Sequence, residues 1–253
     1  MQPITIGAAP MLHDLPAHRD WLTNGRRDLE LQDFLRPDVL LGDWPGLVAE
    51  AKRQLDGFEG RLGIHGPFHD LALDTADPEI APLVARRFVT AVDAAAALGA
   101  SQIVIHSPFS TWDWFNFGNN PRVGNTPSAR EAKTERVHAV LRDAVARAEA
   151  EGITLVIENI EDIAPAFRRD LAASFASDAV RLSIDTGHAH YAHHATGAPP
   201  VDYFVTDAGA MLAHVHLQDA DGFADRHWPP GRGTVNWHAV FRAVAALPER
   251  PHM

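Results

Sequence analysis

Short apolar runs alternate along the chain with longer segments of helical spacing. Seven runs read as strands: residues 4–8, 28–31, 62–65, 103–106, 154–158, 181–185 and 213–217. Several are β-branched and nearly unbroken in apolar character, as strands covered on both faces are. Between them the spacing predicts helices over 44–58, 78–98, 128–151, 167–175 and 240–247. In the second of these Ile80, Val84, Phe88, Val92 and Ala95 share one face. Gly99 and Gly152 follow the second and third helices, where a left-handed residue commonly ends a helix.

Strand–helix alternation of this kind implies a parallel sheet with helices outside it. Seven strands exceed a small flavodoxin-like sheet; they fit a (β/α)8 TIM barrel, or a doubly wound fold with its strands reordered. No Gly-x-Gly-x-x-Gly follows an early strand, and no Gly-x-x-x-x-Gly-Lys-Ser/Thr occurs. Composition does not shift along the chain, so residues 1–253 are expected to form a single domain. One count stays open. After the last helix, Pro248 and Pro251 look like the turn that introduces an eighth strand, and the sequence ends at Met253. Either the chain is truncated at its C-terminus or another element closes the barrel; the expectation is a barrel whose eighth strand is missing by truncation.

Charge enters this apolar pattern at the strand ends. The third to seventh predicted strands end on or next to His65, His106, Glu158, Asp185 and His216. In a barrel these ends converge on one mouth, where active sites form. Unpaired buried charges there would cost several kcal/mol each. A divalent metal resolves the conflict, because it neutralises carboxylates and binds neutral imidazole. His188 follows Asp185 by three residues. After the seventh strand comes a glycine- and proline-rich loop with Asp225 and His227 two residues apart, so an extended backbone would point both the same way.

Composition narrows the chemistry further. The 253 residues include 15 histidines and no cysteine, so thiolate ligands, a cysteine nucleophile and disulfides are excluded. With 22 Lys+Arg against 33 Asp+Glu the net charge is −11, which argues against nucleic acid as a partner. Only Lys52 and Lys133 could form a Schiff base, and no Gly-x-Ser-x-Gly supports a serine triad. No apolar run approaches the ~18 residues of a membrane span, and the start lacks the pattern of a signal peptide, so a cytoplasmic location is expected.

The set His65, His106, Glu158, Asp185-x-x-His188, His216 and Asp225-Arg-His227 resembles the xylose isomerase-like barrel superfamily. That group includes sugar isomerases and epimerases and the endonuclease IV-type phosphodiesterases. The resemblance covers residues 62–237. It implies a (β/α)8 barrel with divalent metal at its C-terminal mouth: manganese, zinc, cobalt, iron or magnesium, as one ion or a cluster. The isomerase branch implies Glu158, Asp185 and His216 as ligands, with a glutamate on strand eight. The endonuclease branch implies further ligands at His65, His106, His188, Asp225 and His227, and the same glutamate.

The reading that follows is a metal-dependent isomerase or epimerase acting on a sugar or sugar-like substrate through an enediolate. Glu158 is its general base, and His188 and Arg232 orient hydroxyls. One alternative is a phosphodiesterase with a multinuclear site; another is a metal-binding barrel without catalysis. The loop 107–126 carries Trp112, Trp114, Phe115 and Phe117 and is expected either to cover the site or to form an oligomer contact, which leaves a homo-oligomer open. His69, His190 and His214 are expected to support the mouth, His193 and His194 to be solvated, and His13, His18, His138, His238 and His252 to be surface or packing residues.

Overall fold

The computed structural model describes residues 4–116 and 127–253. Six strands form one parallel sheet in sequence order: β1 (Leu29–Leu31), β2 (Leu62–His65), β3 (Gln102–His106), β4 (Thr154–Glu158), β5 (Val180–Asp185) and β6 (Leu212–His216). These are the last six predicted strands, each within a residue of its predicted limits. The sheet curls as an incomplete (β/α)8 barrel with helices outside.

The first predicted strand, residues 4–8, is not a regular strand. Only Ala8 bridges, pairing in parallel with Leu29. Gly7 lies so close to the neighbouring strand that a Cβ would stand 2.3 Å from the Asp28 carbonyl oxygen. No regular eighth strand occurs among the described residues. His252 instead bridges His214 in parallel, and the Met253 carbonyl accepts the Gly7 N–H at 2.5 Å. The two prolines thus deliver residues 251–253 to the position expected of strand eight.

The helices are α1 (Leu15–Asn24), α2 (Pro37–Leu41), α3 (Trp44–Gln54), α4 (Ala81–Leu98), α5 (Thr111–Asn116), α6 (Pro127–Glu151), α7 (Pro165–Ser174), α8 (Thr186–Thr196), α9 (Val201–Ala208) and α10 (Trp237–Ala245). Their apolar faces lie on the strands. Val84, Phe88, Ala91 and Val92 of α4 and Val137, Val140 and Leu141 of α6 are buried with Ile103, Ile105, Leu155 and Ile157. Gly99 ends α4 at φ 83°, where the following N–H of Ala100 reaches back to Ala95 O at 2.9 Å. No helix among the described residues is long and apolar enough to cross a membrane.

One charge is built into the wall beneath the mouth. Arg168 of α7 is 1% exposed and donates to the carbonyls of Ile157 in β4 and Ser183 in β5. Its Nε lies 3.4 Å from Asp162 Oδ1. Breaking a buried pair of this kind costs about 3–5 kcal/mol, because the surviving charge stays desolvated. Arg168→Met should lower the urea midpoint accordingly; an unchanged midpoint would show that the pair holds nothing together.

Candidate active site

The strand ends deliver their ionisable groups to one cavity of about 1030 Å³. Its walls include His65, His106, Glu158, Asp185, His188, His216, Asp225 and His227, so the residues expected as metal ligands all meet there. Arg232 is not brought in. It is exposed, its guanidinium lies 5.1 Å from the Trp228 ring centre, and it does not line the cavity. The reason is local: it follows the turn at Gly231 (φ 90°) on the outer side of the loop.

Glu158 is the centre of the arrangement. It ends β4 at 1% exposure. Its Oε1 pairs with His216 Nδ1, and its Oε2 lies 3.6 Å from His106 Nε2 and 4.0 Å from His65 Nε2. Burial opposes its ionisation, but the imidazoles of His216, His188 and His106 outweigh that and hold its carboxyl well below the usual range. His65 donates Nδ1–H to the Gly66 carbonyl at 2.9 Å, which leaves Nε2 facing Glu158. His106 stacks on Phe68, with ring centres 4.1 Å apart, and burial pushes it down to about 3.

Asp185 serves the fold and the site together. It caps α8 by accepting the His188 N–H on Oδ1 at 2.8 Å. Its Oδ2 lies 4.0 Å from His216 Nδ1. The three-residue spacing of Asp185 and His188 is therefore that of a helix cap and the third residue of its helix. Asn159 fixes the corner. It donates to the Asp185 carbonyl at 3.0 Å and accepts the Asp185 N–H at 2.9 Å. Its own carbonyl accepts His188 Nδ1–H at 3.0 Å, which turns Nε2 toward Asp225 Oδ2 at 3.4 Å. Burial disfavours the charged His188 ring, yet Asp185 and Asp225 push it up to about 10.

The loop after β6 holds the third group. Gln218 donates to Asp225 Oδ1 at 3.0 Å and accepts the His227 N–H at 2.9 Å. His227 Nε2 pairs with Asp225 Oδ2 at 3.0 Å, from a left-handed backbone at φ 49°. Donor atoms of four sets each lie within 4.8 Å of one another and could hold an ion: Glu158, Asp185 and His216; His65, His106 and Glu158; His188, Asp225 and His227; and Glu30, His214 and His216.

Glu30 escaped the sequence reasoning. It sits in β1 between Leu29 and Leu31, 5% exposed, with Oε1 2.9 Å from His216 Nε2. Its signal was a carboxylate flanked by two leucines inside a predicted strand. His214 was expected to support the mouth, and it does: Nδ1 bonds Ser183 Oγ at 2.8 Å and Nε2 lies 3.3 Å from Glu30 Oε2. His190 bonds Thr234 Oγ1 at 2.7 Å, tying α8 to the loop. His252 departs from expectation; it lines the cavity floor 3.8 Å from Asp28. Trp112, Trp114 and Phe115 stand exposed on α5 and do not line the cavity, and Phe117 lies outside the described residues.

The donor set fits a divalent ion. It offers nitrogen and oxygen only, two nearly buried carboxylates converge on one imidazole, and Glu30 Oε2 is buried without a hydrogen bond.

The curled parallel sheet with its ionisable strand ends is that of an incomplete (β/α)8 barrel. The chain belongs to the xylose isomerase-like TIM barrel family, whose sequence model matches residues 29–250. The MJ1311 protein of Methanocaldococcus jannaschii is 23% identical over 200 residues, covering 76% of this chain. The chain spans 62% of the length of that relative. The TTHB071 protein from Thermus thermophilus, in a structure soaked with ZnCl2, superposes with a TM-score of 0.73 at 27% identity, covering 98% of this chain and 93% of its own. A D-tagatose 3-epimerase-like protein superposes with a TM-score of 0.71 at 20% identity, covering 96% and 86%.

Asp162 generates a test below the mouth. Burial raises its carboxyl to about 6 from 3.8, although Arg168 and the Ser107 hydroxyl, at 3.0 Å, pull the other way. A raised value favours the neutral form in the folded protein. The associated stability is complete below about pH 4 and is lost as pH rises through about 6. Across pH 4–7 the stability of the wild type relative to Asp162→Asn should therefore fall by on the order of 2–3 kcal/mol. Parallel urea-stability curves for the two proteins would reject this.

Proposed function

We propose that the chain is a divalent-metal-dependent isomerase or epimerase of a sugar or sugar-like substrate, working through an enediolate. Glu158, Asp185 and His216 hold the ion. The observation that carries this is their convergence within 4.8 Å at the barrel mouth. Family membership and the sugar-epimerase-like neighbour support it. So does the cavity wall, where no Lys or Arg occurs among the described lining residues, as suits an uncharged polyol.

When bound, a divalent ion polarises a substrate carbonyl and its neighbouring hydroxyl. Glu158 moves the proton. Its Oε1 is engaged by His216, so Oε2, beside His106 and His65, takes the proton from one substrate carbon and returns it to the next. His188, anchored through Nδ1 and turned through Nε2 to Asp225, orients a substrate hydroxyl together with that carboxylate. Phe68, Leu35 and Ile160 line the same cavity and present apolar surface to sugar C–H faces while excluding water.

A second reading has one observation in its favour. The additional groups His65, His106, Glu158 and His188, Asp225, His227 give room for more than one ion. A cluster would assist attack and departure at phosphorus. The wall without Lys or Arg weighs against a duplex substrate, which needs several phosphate contacts.

Elemental analysis of the zinc- or manganese-loaded protein should find about one ion per chain; about three would move the assignment to phosphodiester hydrolysis. Cleavage of an abasic-site duplex by the loaded protein would do the same. With a sugar substrate in hand, Glu158→Gln should abolish turnover, and full activity in that variant would remove Glu158 from the mechanism.

A further inference from the structure

We propose that Glu30 is a positioning residue for His216: it accepts the Nε2 proton and so makes Nδ1 the ring atom turned to Glu158 and Asp185. The inference rests on the metal reading above and adds the group that aims its imidazole.

Four donors converge on the Glu30 carboxylate and its partners. Oε1 lies 2.9 Å from His216 Nε2 and 2.6 Å from Gln32 Nε2. Oε2 lies 3.3 Å from His214 Nε2, and His214 Nδ1 is 2.8 Å from the Ser183 hydroxyl. An ionised carboxylate only accepts, so a ring nitrogen bonded to it carries hydrogen. His214 pairs through Nδ1 with the Ser183 hydroxyl, and its Nε2 stands 3.3 Å from Oε2 without a hydrogen bond to it. His216 donates through Nε2. Its other nitrogen, Nδ1, contacts Glu158 Oε1 and lies 4.0 Å from Asp185 Oδ2.

This is the arrangement of an oriented ligand, in which one ring nitrogen is tied to a carboxylate and the other is free to bind. It also makes the set Glu30, His214 and His216 a support and not a separate cation site. The His216 nitrogen that faces Glu30 is spent on that hydrogen bond and is not free to bind an ion. The contact spans the barrel as well. Glu30 is on β1 and His216 on β6, the two ends of the strand order, so the tether fixes the ring from across the interior.

The test titrates Zn2+ alone into the full chain. Glu30→Ala should bind about 10–100-fold more weakly than wild type, the usual cost of losing such a partner. Glu30→Gln, which keeps an acceptor oxygen for Nε2–H, should recover part of that loss. Unchanged affinity in Glu30→Ala overturns the assignment. A second measurement does not depend on the variants folding. Nitrogen-15 histidine spectra of Zn2+-loaded wild type should show His216 protonated at Nε2 and not at Nδ1. An unprotonated Nε2 overturns the proposal. The two failures separate cleanly. Wild type that binds no Zn2+ removes the metal reading, while wild type that binds it no better than Glu30→Ala removes only the role of Glu30.

Discussion

Three carboxylates buried around one imidazole set the terms for the rest of the mouth. Glu158, Asp185 and Glu30 are 1%, 2% and 5% exposed. Carboxylates removed from water at that depth cost several kcal/mol each unless cations or good donors face them. His216 is the shared answer, with Nδ1 on Glu158 and Nε2 on Glu30. Burial disfavours its charge, but the two carboxylates raise it well above the usual imidazole range. Nδ1, against Glu158, is the point where, on the proposed function, an ion would take the place of a proton. Metal binding and proton release are then one event. Arg168 supplies the permanent positive charge on the underside, spent mostly on the carbonyls of β4 and β5.

The loop that closes the mouth is ordered from one buried residue. Asp219 accepts N–H bonds from Ala220 at 2.9 Å, Val235 at 3.1 Å and Gly231 at 2.8 Å, and from the Trp237 ring at 2.9 Å. Its backbone also exchanges both hydrogen bonds with Trp228. The neighbouring Gln218 then reaches Asp225 and His227. Gln218 packs so tightly on the start of α8 that a Cβ on Gly187 would stand 2.4 Å from its side chain. Two short motifs far apart in sequence, Asp185-x-x-His188 and Asp225-x-His227, are therefore packed through one glutamine and one glycine.

Strands buried on both faces announce themselves as nearly unbroken apolar runs, and for that reason β3 and β4 were the most legible, while β1 and β6 carry Glu30 and His214 inside theirs. The strand-end residues were legible too, because a charge that closes such a run must meet a partner at the mouth. The first run differs: its composition is that of a strand, but Gly7 and Ala8 make a close approach to β1 that permits one bridge. Helix α8 carried no apolar stripe to find, since its hold comes from the Asp185 cap and from His190, not from aliphatic spacing. Glu30, Asn159 and Gln218 were invisible for a different reason. Their significance lies in partners 186, 26 and 7 residues away, and periodicity carries no record of such pairings. Arg232 shows the converse error, since proximity in sequence to the loop motif did not turn it inward.

Depth separates the two functional readings better than ligand identity does. The group Glu158, Asp185 and His216 is deep: its two carboxylates are almost fully buried and its ring is 20% exposed. The group His188, Asp225 and His227 climbs to the rim, where Asp225 is 43% and His227 67% exposed. Hydration weakens charge interactions at the rim, whereas the low-dielectric interior strengthens them. A phosphodiester drawn to the deep group would carry its own negative charge toward Glu30, Glu158 and Asp185, with no Lys or Arg among the described lining residues to meet it. On the proposed function, a neutral polyol would meet the same carboxylates with hydroxyl donors. The charge distribution of the wall thus suits an uncharged substrate better than an anionic one, and on the proposed function the deep group would move the proton and the rim group would orient the substrate.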